Sequence, residues 1–272
     1  ANGKNAYHAM VVASASEGKV TLKGLTFTGG TPMLVNTKEL VETAPTTTTN
    51  DGFGIMDYRG GGLYVASATQ ISSCLFRDNV SAFHSNTSGT VGIGMYAASK
   101  VNVSVENTTF RNNKGGSCGG AVYAQGSSAF RNTLFEGNSS THSGAVHNGG
   151  TINVEDCVFR ENSATSGFAG ALRHQGSRAT LSETSFIRNT SGNHGGAIQN
   201  NRAQMTVSNC SFESNTSTSD GGAIANWGGG DMTVSSCTFM ANSAVNGGSV
   251  TNMVNASSDS PSELILSKCT FI

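Results

Sequence analysis

The chain has 272 residues, of which 12% are charged, and its formal net charge at pH 7 is −1. Such an even charge balance provides no basic surface of the kind that binds nucleic acid or an anionic membrane. The sequence has no run of about 18 apolar residues, so it predicts no transmembrane helix. The chain begins at Ala1 without Met and stops at Ile272 inside a repeated motif, from which we expect a processed or partial chain. The lack of a signal peptide therefore says nothing against a secreted origin.

The first part of the chain departs from the pattern that follows it. Residues 1–27 are predicted to form an entering coil or cap, in which Val20 and Leu22 alternate with polar residues as in a half-buried strand. Residues 28–59 contain two prolines and a run of four threonines. Turn-forming composition of this kind predicts an inserted surface loop.

Residues 60–272 are built from a repeat. A GGA-like triplet recurs at a spacing of about 26 residues. Its third residue is, in order, Gly62, Gly94, Ala121, Ala145, Ala171, Ala197, Ala223 and Ser249. Between triplets, apolar residues alternate with polar ones at the period of a strand, as in Met205-Thr206-Val207. The pattern predicts one parallel β-helix of about eight or nine coils, with a second insertion at residues 253–262.

Two residue columns are predicted to stack through the helix. The aromatic column is Phe76, Phe110, Phe135, Phe159, Phe186, Phe212 and Phe239. Three residues after each phenylalanine stands an asparagine, which gives the column Asn79, Asn113, Asn138, Asn162, Asn189, Asn215 and Asn242. We expect the rings to be buried and the amides to bond to one another at a corner. A second asparagine column (Asn148, Asn200, Asn226 and Asn252) is interrupted by His174.

Five of the six cysteines lie two residues before a column phenylalanine, where the other coils have threonine. They are Cys74, Cys157, Cys210, Cys237 and Cys269. Neighbouring coils lie within disulfide range, but side chains in one column point in parallel, which favours unpaired thiols and leaves disulfides open. The spacing does not resemble a zinc motif, and the calcium-binding nonapeptide of β-rolls is missing. We therefore predict neither a metal site nor a cofactor.

The acidic residues give no clear catalytic site. Asp78, Glu136, Glu161 and Glu213 fall just after column phenylalanines, where we expect a solvated acidic edge. The chain is therefore predicted not to be an enzyme, and no catalytic residue is proposed. A carbohydrate-active enzyme, a polysaccharide lyase or hydrolase, stays open as the alternative, because the fold does not fix the function.

One further column is predicted to point away from the interior of the helix. This outward strip consists of Tyr64, Tyr96, Tyr123, His147 and Arg173. Tyrosine is common in partly wet contacts, so the strip is a candidate for binding a glycan or a protein. The favoured alternative is that the loop at 28–59 folds over the tyrosines. Four sequons outside the asparagine column are possible glycosylation sites, namely Asn86, Asn102, Asn107 and Asn255.

The alternation of GGA[ILV] with F-x-x-N resembles the polymorphic outer-membrane proteins of chlamydiae. The resemblance is carried by the segments that begin at Gly119, Gly195 and Gly221 and by the seven F-x-x-N sites. It implies a right-handed β-helix, the passenger of an autotransporter adhesin, located outside the cell or at its surface. We accordingly expect a structural or adhesive role as a surface-exposed passenger, stalk or filament subunit. Expected partners are a protein or glycan at a surface, and further coils or another subunit stacked end to end.

Overall fold

A computed structural model describes residues 10–12, 19–30, 59–81, 90–253 and 261–272. The regular elements in these ranges are strands, which pair in parallel in three nine-stranded sheets and one four-stranded sheet. Neighbours within a sheet come from successive coils, so the predicted all-β parallel solenoid is confirmed. Within the described ranges, no helix is long and apolar enough to cross a membrane.

The four sheets run along the axis of the solenoid. Sheet A contains Met10–Val12, Leu63–Val65, Met95–Ala97, Val122–Ala124, Val146–Asn148, Leu172–His174, Ile198–Asn201, Ile224–Trp227 and Val250–Met253. Sheet B contains Val20–Lys23, Thr69–Ser72, Asn102–Glu106, Ser127–Arg131, Thr151–Glu155, Arg178–Ser182, Gln204–Ser208, Asp231–Ser235 and Glu263–Ser267. Sheet C contains Thr26–Thr28, Leu75–Arg77, Thr109–Arg111, Leu134–Glu136, Val158–Arg160, Ser185–Ile187, Ser211–Glu213, Thr238–Met240 and Thr270–Phe271. Sheet D contains Ser139–Ser140, Ser163–Ala164, Thr190–Ser191 and Thr216–Ser217.

The predicted domain boundaries fall partly on described residues. Leu22 and Phe27 pair in register with Ile71 and Phe76, so the strands of residues 1–27 that the structure describes form a coil of the solenoid. Most of the predicted loop at 28–59, and most of the insertion at 253–262, lies outside the described residues.

Alternation of polar and apolar residues explains sheet B. In Gln204–Ser208, Met205 and Val207 are buried and Thr206 is exposed. Because successive side chains point to opposite faces of a strand, one face lines the core and the other meets solvent. Sheet A differs, because all three residues of Leu63–Val65 and of Met95–Ala97 are buried. Sheet A is therefore covered on both faces along this part of the solenoid.

The corners depend on residues in the left-handed backbone region. Between sheets B and C, each coil turns at one such residue, for example Asn209 and Ser236 (φ 53° in both). A second corner after sheet C turns at Arg188 (φ 49°) and Ser214 (φ 53°). Most of these residues are not glycine, although non-glycine residues adopt this conformation infrequently. The turns thus impose a local conformational cost that the stacked neighbours offset.

The two glycines of the triplet have different purposes. Gly195 has a φ of 67°, which glycine adopts without steric cost. A Cβ atom on Gly196 would lie 2.0 Å from the carbonyl oxygen of Gly222 in the next coil. The first glycine therefore permits the turn, and the second permits the close approach of adjacent coils.

The phenylalanine column forms a continuous stack. Its seven members are 0–1% exposed, and the ring centroids of neighbours lie 4.4–5.1 Å apart. Phe27 and Phe271 extend the stack at its two ends, at 4.5 and 4.8 Å. Offset ring contacts add to the free energy of burying each side chain.

Phe186→Ala is expected to lower the free energy of unfolding by about 3–5 kcal/mol, because it removes a fully buried ring from a close-packed column. Urea titration of the variant and the parent chain measures this change. The control is Ile187→Ala at the adjacent, partly exposed position, for which a loss of less than about 1 kcal/mol is expected. Equal losses for the two variants would contradict the prediction.

The first asparagine column forms a ladder of amides. Asn189 Nδ2 donates to the Phe159 carbonyl oxygen (2.9 Å) and to Asn215 Oδ1 (3.0 Å). Its Oδ1 accepts from the backbone N (3.1 Å) and Nδ2 (3.0 Å) of Asn162. The same pattern links Asn79 through to Asn242. Six of the seven asparagines are 0–1% exposed, and Asn242 is partly exposed, so the buried amides of the sequons in this column cannot carry glycans.

The second asparagine ladder is broken at His174. Asn200 Nδ2 donates to Asn226 Oδ1 (2.9 Å), and Asn226 Nδ2 donates to Asn252 Oδ1 (2.8 Å). His174 Nδ1 lies 3.1 Å from Asn148 Oδ1. The ring's Nε2 and Asn200 Oδ1 are buried without a hydrogen-bond partner among the described residues. A buried polar atom without a hydrogen-bond partner lowers the stability of the fold.

All six cysteines are free thiols in the structure. The Cys157 thiol donates to the Glu155 carbonyl oxygen (3.1 Å), and burial raises its pKa to about 11. The backbone N of Cys210 donates to Cys237 Sγ at 3.4 Å, so the thiol of one coil contacts the backbone of the adjacent coil. The cysteine and threonine side chains thus occupy one column as small hydrogen-bonding groups.

The expected solvated acidic edge is wrong for Glu136, whereas Glu161 is exposed. Glu136 lies between Arg111, whose Nε is 2.5 Å from Glu136 Oε2, and Arg160, which is paired with Oε1. The Glu136 side chain is only 12% exposed. Burial alone would raise its pKa, but the two arginines bring the pKa below the usual range. Glu161 pairs with Arg188 at 2.6 Å, so this edge alternates in charge.

Candidate contact surface

The outward strip lies on the face of sheet A that points away from the phenylalanine column. Its first four rings stack along the axis, with centroid distances of 5.2 Å (Tyr64 and Tyr96), 5.8 Å (Tyr96 and Tyr123) and 4.6 Å (Tyr123 and His147). Arg173 follows His147 in the register of the sheet. The sequence pattern therefore located these five side chains in one row.

The strip points outward as predicted, but three of its five residues are buried, and the loop at 28–59 that was expected to cover the tyrosines lies mostly outside the described residues. Tyr64, Tyr96 and His147 are 4%, 1% and 5% exposed, while Tyr123 and Arg173 are partly exposed. Strand alternation determines the face to which a side chain points, but it does not reveal what packs over that face. A partner could touch the strip directly only near Tyr123 and Arg173.

A second row of residues packs over sheet A from outside. This outer column holds the residue before each GGA-like triplet, namely Arg59, Val91, Cys118, His142, Phe168, His194, Asp220 and Asn246. Parallel bridges join Val91 to Cys118 and His194 to Asp220. The Phe168 ring lies 6.1 Å from that of His142 and 5.8 Å from that of His194. The sequence did carry a signal for this column, since its members stand three residues before the third residue of each triplet.

The outward strip and the outer column contact each other through a polar network. Arg59 Nη1 donates to Tyr96 Oη (3.0 Å), which donates to Gln125 Oε1 (2.9 Å). Ser143 Oγ lies 3.2 Å from His147 Nδ1. Sheet A thus has a second, partly polar core on its outer side.

Arg173 lies at the centre of the accessible part of this network. Its guanidinium carbon is 4.5 Å from the centre of the Phe168 ring, and its Nε donates to Gln199 Oε1 (3.0 Å). The Cys118 thiol lies close enough to influence the pKa of Arg173. Burial lowers the pKa of Arg173 and raises the pKa values of Cys118 and Tyr123. The thiol and the phenol therefore stay neutral at pH 7.

His147 is held neutral in this network. Burial, and then the charges of Arg173 and of the neighbouring imidazoles of His174 and His142, lower its pKa to about 3. A neutral imidazole stacked on Tyr123 contributes packing and one hydrogen bond, without adding a second positive charge beside Arg173.

A histidine–aspartate pair lies further along the outer column. His194 Nδ1 is 2.8 Å from Asp220 Oδ2, and the His194 ring stacks on Trp227 at 4.8 Å. Burial would raise the pKa of Asp220, but hydrogen bonds from Ser219 and Asn246 and the pairing with His194 bring it below the usual value. Asp220 therefore stays ionised, and the pair fixes the edge of the aromatic surface around Trp227.

The outer face of sheet B carries a shallow groove near its last two strands. Its volume is about 360 Å³, and its lining includes Thr206, Asp231, Thr233 and Glu263. Asp231 and Glu263 are register partners in adjacent strands, and both are exposed. Glycoside hydrolysis generally requires two neighbouring carboxyl groups. In the part of the chain that the structure describes, no three His, Cys, Asp or Glu side chains form a group that could hold a metal ion.

Two of the four possible glycosylation sites can be placed. Asn102 and Asn107 are exposed on sheet B and at the corner that follows it. Asn86 and Asn255 lie outside the described residues. Whether any of the four is modified stays a prediction.

Comparison with known families agrees with the repeat pattern. The model of the Chlamydia polymorphic membrane protein repeat matches residues 107–125, 183–201 and 209–226. Each match includes an F-x-x-N site together with the GGA triplet that follows it. No curated protein and no solved structure matches the chain. Three segments of this β-solenoid are thus similar to the Chlamydia polymorphic membrane protein repeat, and the resemblance predicted from the GGA and F-x-x-N motifs is confirmed.

Proposed function

We propose that the chain is a surface-exposed, non-enzymatic β-helix passenger that adheres to a protein or glycan on another surface. The observation that carries the proposal is the coincidence of the membrane-protein repeat with the coils of the solenoid at 107–125, 183–201 and 209–226. Solenoids of stacked coils present long, regular side surfaces that suit extended contacts. The family is one of membrane proteins, which supports a location at the cell surface.

The accessible part of the outer side of sheet A is the proposed contact surface. Tyr123, His142, Phe168 and Arg173 are all partly exposed there, and Trp227 is partly exposed further along. Aromatic and arginine side chains with one exposed edge are the residue types that dominate binding energies at interfaces. The buried members of the outward strip pack beneath this surface and keep its side chains in position.

The test is attachment of beads coated with the purified chain to cultured animal cells. The double variant Tyr123→Ser with Arg173→Gln is expected to reduce the number of attached beads at least about threefold, because both side chains are central to the surface. The matched control is Thr206→Ser with Arg178→Gln on the outer face of sheet B, which should attach like the parent chain. Equal attachment of the parent chain and of uncoated beads would overturn the proposal.

The paired carboxylates of Asp231 and Glu263 favour a second candidate, a carbohydrate-active enzyme. Its test is incubation of the chain with neutral and acidic polysaccharides, followed by measurement of new reducing ends. Cleavage that disappears in both Asp231→Asn and Glu263→Gln would replace the adhesive proposal with this one. The adhesive proposal expects no cleavage.

The end of the solenoid suggests how the passenger is arranged. In the last coil, core-column residues Leu266 and Phe271 are 42% and 50% exposed, and Ile272 is 76% exposed. The last strand of each large sheet also has an unpaired edge, which promotes further strand pairing. We propose that this end is covered in the native particle by a further coil or by another subunit stacked end to end.

Concentration-dependent association of residues 1–272 is therefore expected by light scattering. Leu266→Lys combined with Phe271→Lys should abolish it, because two charges would oppose stacking on the exposed core. Leu25→Lys is the control, since Leu25 is an exposed apolar residue at the other end of the solenoid. A monodisperse monomer at high concentration, with slow amide exchange in the last coil, would contradict the end-covering proposal.

A further inference from the structure

The charge of Arg173 is not balanced by a carboxylate among the residues that the structure describes. Five ion pairs and one histidine–aspartate pair are formed there, and none of them includes Arg173. Its described contacts are Gln199 Oε1 and the Phe168 ring, neither of which is an anion, and the nearby Cys118 thiol is neutral at pH 7 because burial raises its pKa. Partly buried charges in proteins are usually paired, since leaving water without a counter-charge is costly.

The other titratable groups around Arg173 do not supply the missing charge. Tyr123 remains a neutral phenol, because burial raises its pKa. His147 remains a neutral imidazole, and its low pKa is caused in part by Arg173 itself. Among the described residues, the neighbourhood of Arg173 thus has an excess of positive potential.

The residues around Arg173 leave its guanidinium accessible to a ligand and hold it in one orientation. Cys118, Tyr123, Phe168 and Arg173 are partly exposed, so the guanidinium can be reached from solvent. Its Nε is held by Gln199 and its plane lies over Phe168, which fixes its direction. A guanidinium donates two parallel hydrogen bonds to a carboxylate or sulfate, and a pre-oriented one loses less entropy on binding.

We propose that Arg173, flanked by Cys118, Tyr123 and Phe168, is a binding site for an oxyanion, a carboxylate or sulfate group carried by the surface ligand. The inference names the ligand chemistry of the contact surface and rests on the proposed adhesive function for its biological use. Phe168 and Tyr123 add apolar surface beside the anion, which suits an acidic sugar more than a bare ion.

The site can be tested on the isolated chain with two probes, sodium glucuronate and sodium sulfate, titrated calorimetrically against a sodium chloride background of equal ionic strength. Saturable binding is expected, and Arg173→Gln should weaken it at least tenfold. Arg178→Gln is the matched control, because Arg178 lies in the same coil but is exposed on sheet B and bonded to Gln204. This control should bind like the parent chain. The stronger of the two probes identifies the class of acidic group.

A second readout reports the position of the bound anion. Cys118 and Cys269 are the only two cysteines that are not fully buried. Alkylation of Cys118 by iodoacetamide, followed by mass spectrometry, should become slower when the anion is bound, while alkylation of Cys269 should be unchanged. Protection of neither thiol, or binding that survives in Arg173→Gln, would overturn the site.

Failure of the site and failure of the adhesive function give different results. Cell attachment without anion binding removes the oxyanion proposal and leaves adhesion standing. Anion binding that depends on Arg173, without cell attachment by the parent chain, supports the site and removes the adhesive function. Inhibition of bead attachment by the same anion supports both.

Discussion

Asn189→Leu is expected to lower the free energy of unfolding by about 5 kcal/mol, because four buried hydrogen bonds end on this one amide. Each buried donor or acceptor that loses its partner costs about 1–3 kcal/mol. Leucine has the same branched shape as asparagine at the γ position, so the change reports mainly on the ladder. Urea titration of the variant and the parent chain gives the difference.

The effect should also be local. Each coil of a solenoid contacts only its neighbours, so amide exchange should accelerate around Asn162, Asn189 and Asn215 and remain slow near Phe76. Asn153→Leu is the matched control, because Asn153 is exposed on the outer face of sheet B. Its expected effect is within about 0.5 kcal/mol. Equal losses for the two asparagines would show that the ladder does not stabilise the fold.

The ladders could be predicted because each column repeats one residue type. A phenylalanine or an asparagine that recurs once per coil is recognisable in the sequence. Close packing between coils means that such equivalent side chains must stack on one another. The strip of Tyr64, Tyr96 and Tyr123 was located for the same reason.

The outer column was not predicted from the sequence because its members differ in chemical type. Cys118, His142, Phe168 and Asp220 share a position but no property, so nothing in the composition marks them as one row. The corners were missed on similar grounds, since left-handed residues such as Glu183 and Arg188 are not the types that usually signal a turn. What packs over sheet A depends on the path of the loops, which local pattern does not determine.

The chain is expected to lose about 5 kcal/mol of stability between pH 7.5 and pH 4.5 through two buried histidines. The folded-state pKa is about 3 for His147 and about 4 for His174, against an ordinary value of 6.5. Burial is the largest cause in both residues. In the unfolded chain both rings take up a proton below pH 6.5, while in the folded chain they stay neutral.

The direction of the effect follows from proton linkage. The unfolded state binds more protons in this window, so stability falls as the pH falls. The full stability is present above about pH 7, and each histidine accounts for a loss of about 2.5 kcal/mol by about pH 4.5, at about 1.36 kcal/mol for each pH unit below 6.5. Glu136 and Asp220 have lowered pKa values, so their contribution is lost mainly at lower pH, outside the window.

Two substitutions separate the contributions. His147→Gln and His174→Asn introduce residue types that the same columns already hold nearby, at the buried positions Gln199 and Asn200. Each variant should lose a large part of the acid sensitivity, and the double variant should keep only the part that comes from His194, whose pKa burial also lowers. Urea midpoints measured across this range test all four proteins.

His174→Asn makes a second, opposite prediction at pH 7.5. The introduced amide could donate to the orphaned Asn200 Oδ1 and would remove the orphaned imidazole Nε2, so the second amide ladder would run unbroken from Asn148 to Asn252. We expect this variant to be about 1–2 kcal/mol more stable than the parent chain. Equal acid sensitivity of the variant and the parent chain would show that His174 is not held neutral by burial in the ladder. A variant less stable at pH 7.5 would show that packing of the imidazole outweighs an unbroken ladder. Because the imidazole is larger than the amide, a gain in stability despite the lost volume would mean that hydrogen-bond continuity outweighs packing at this corner.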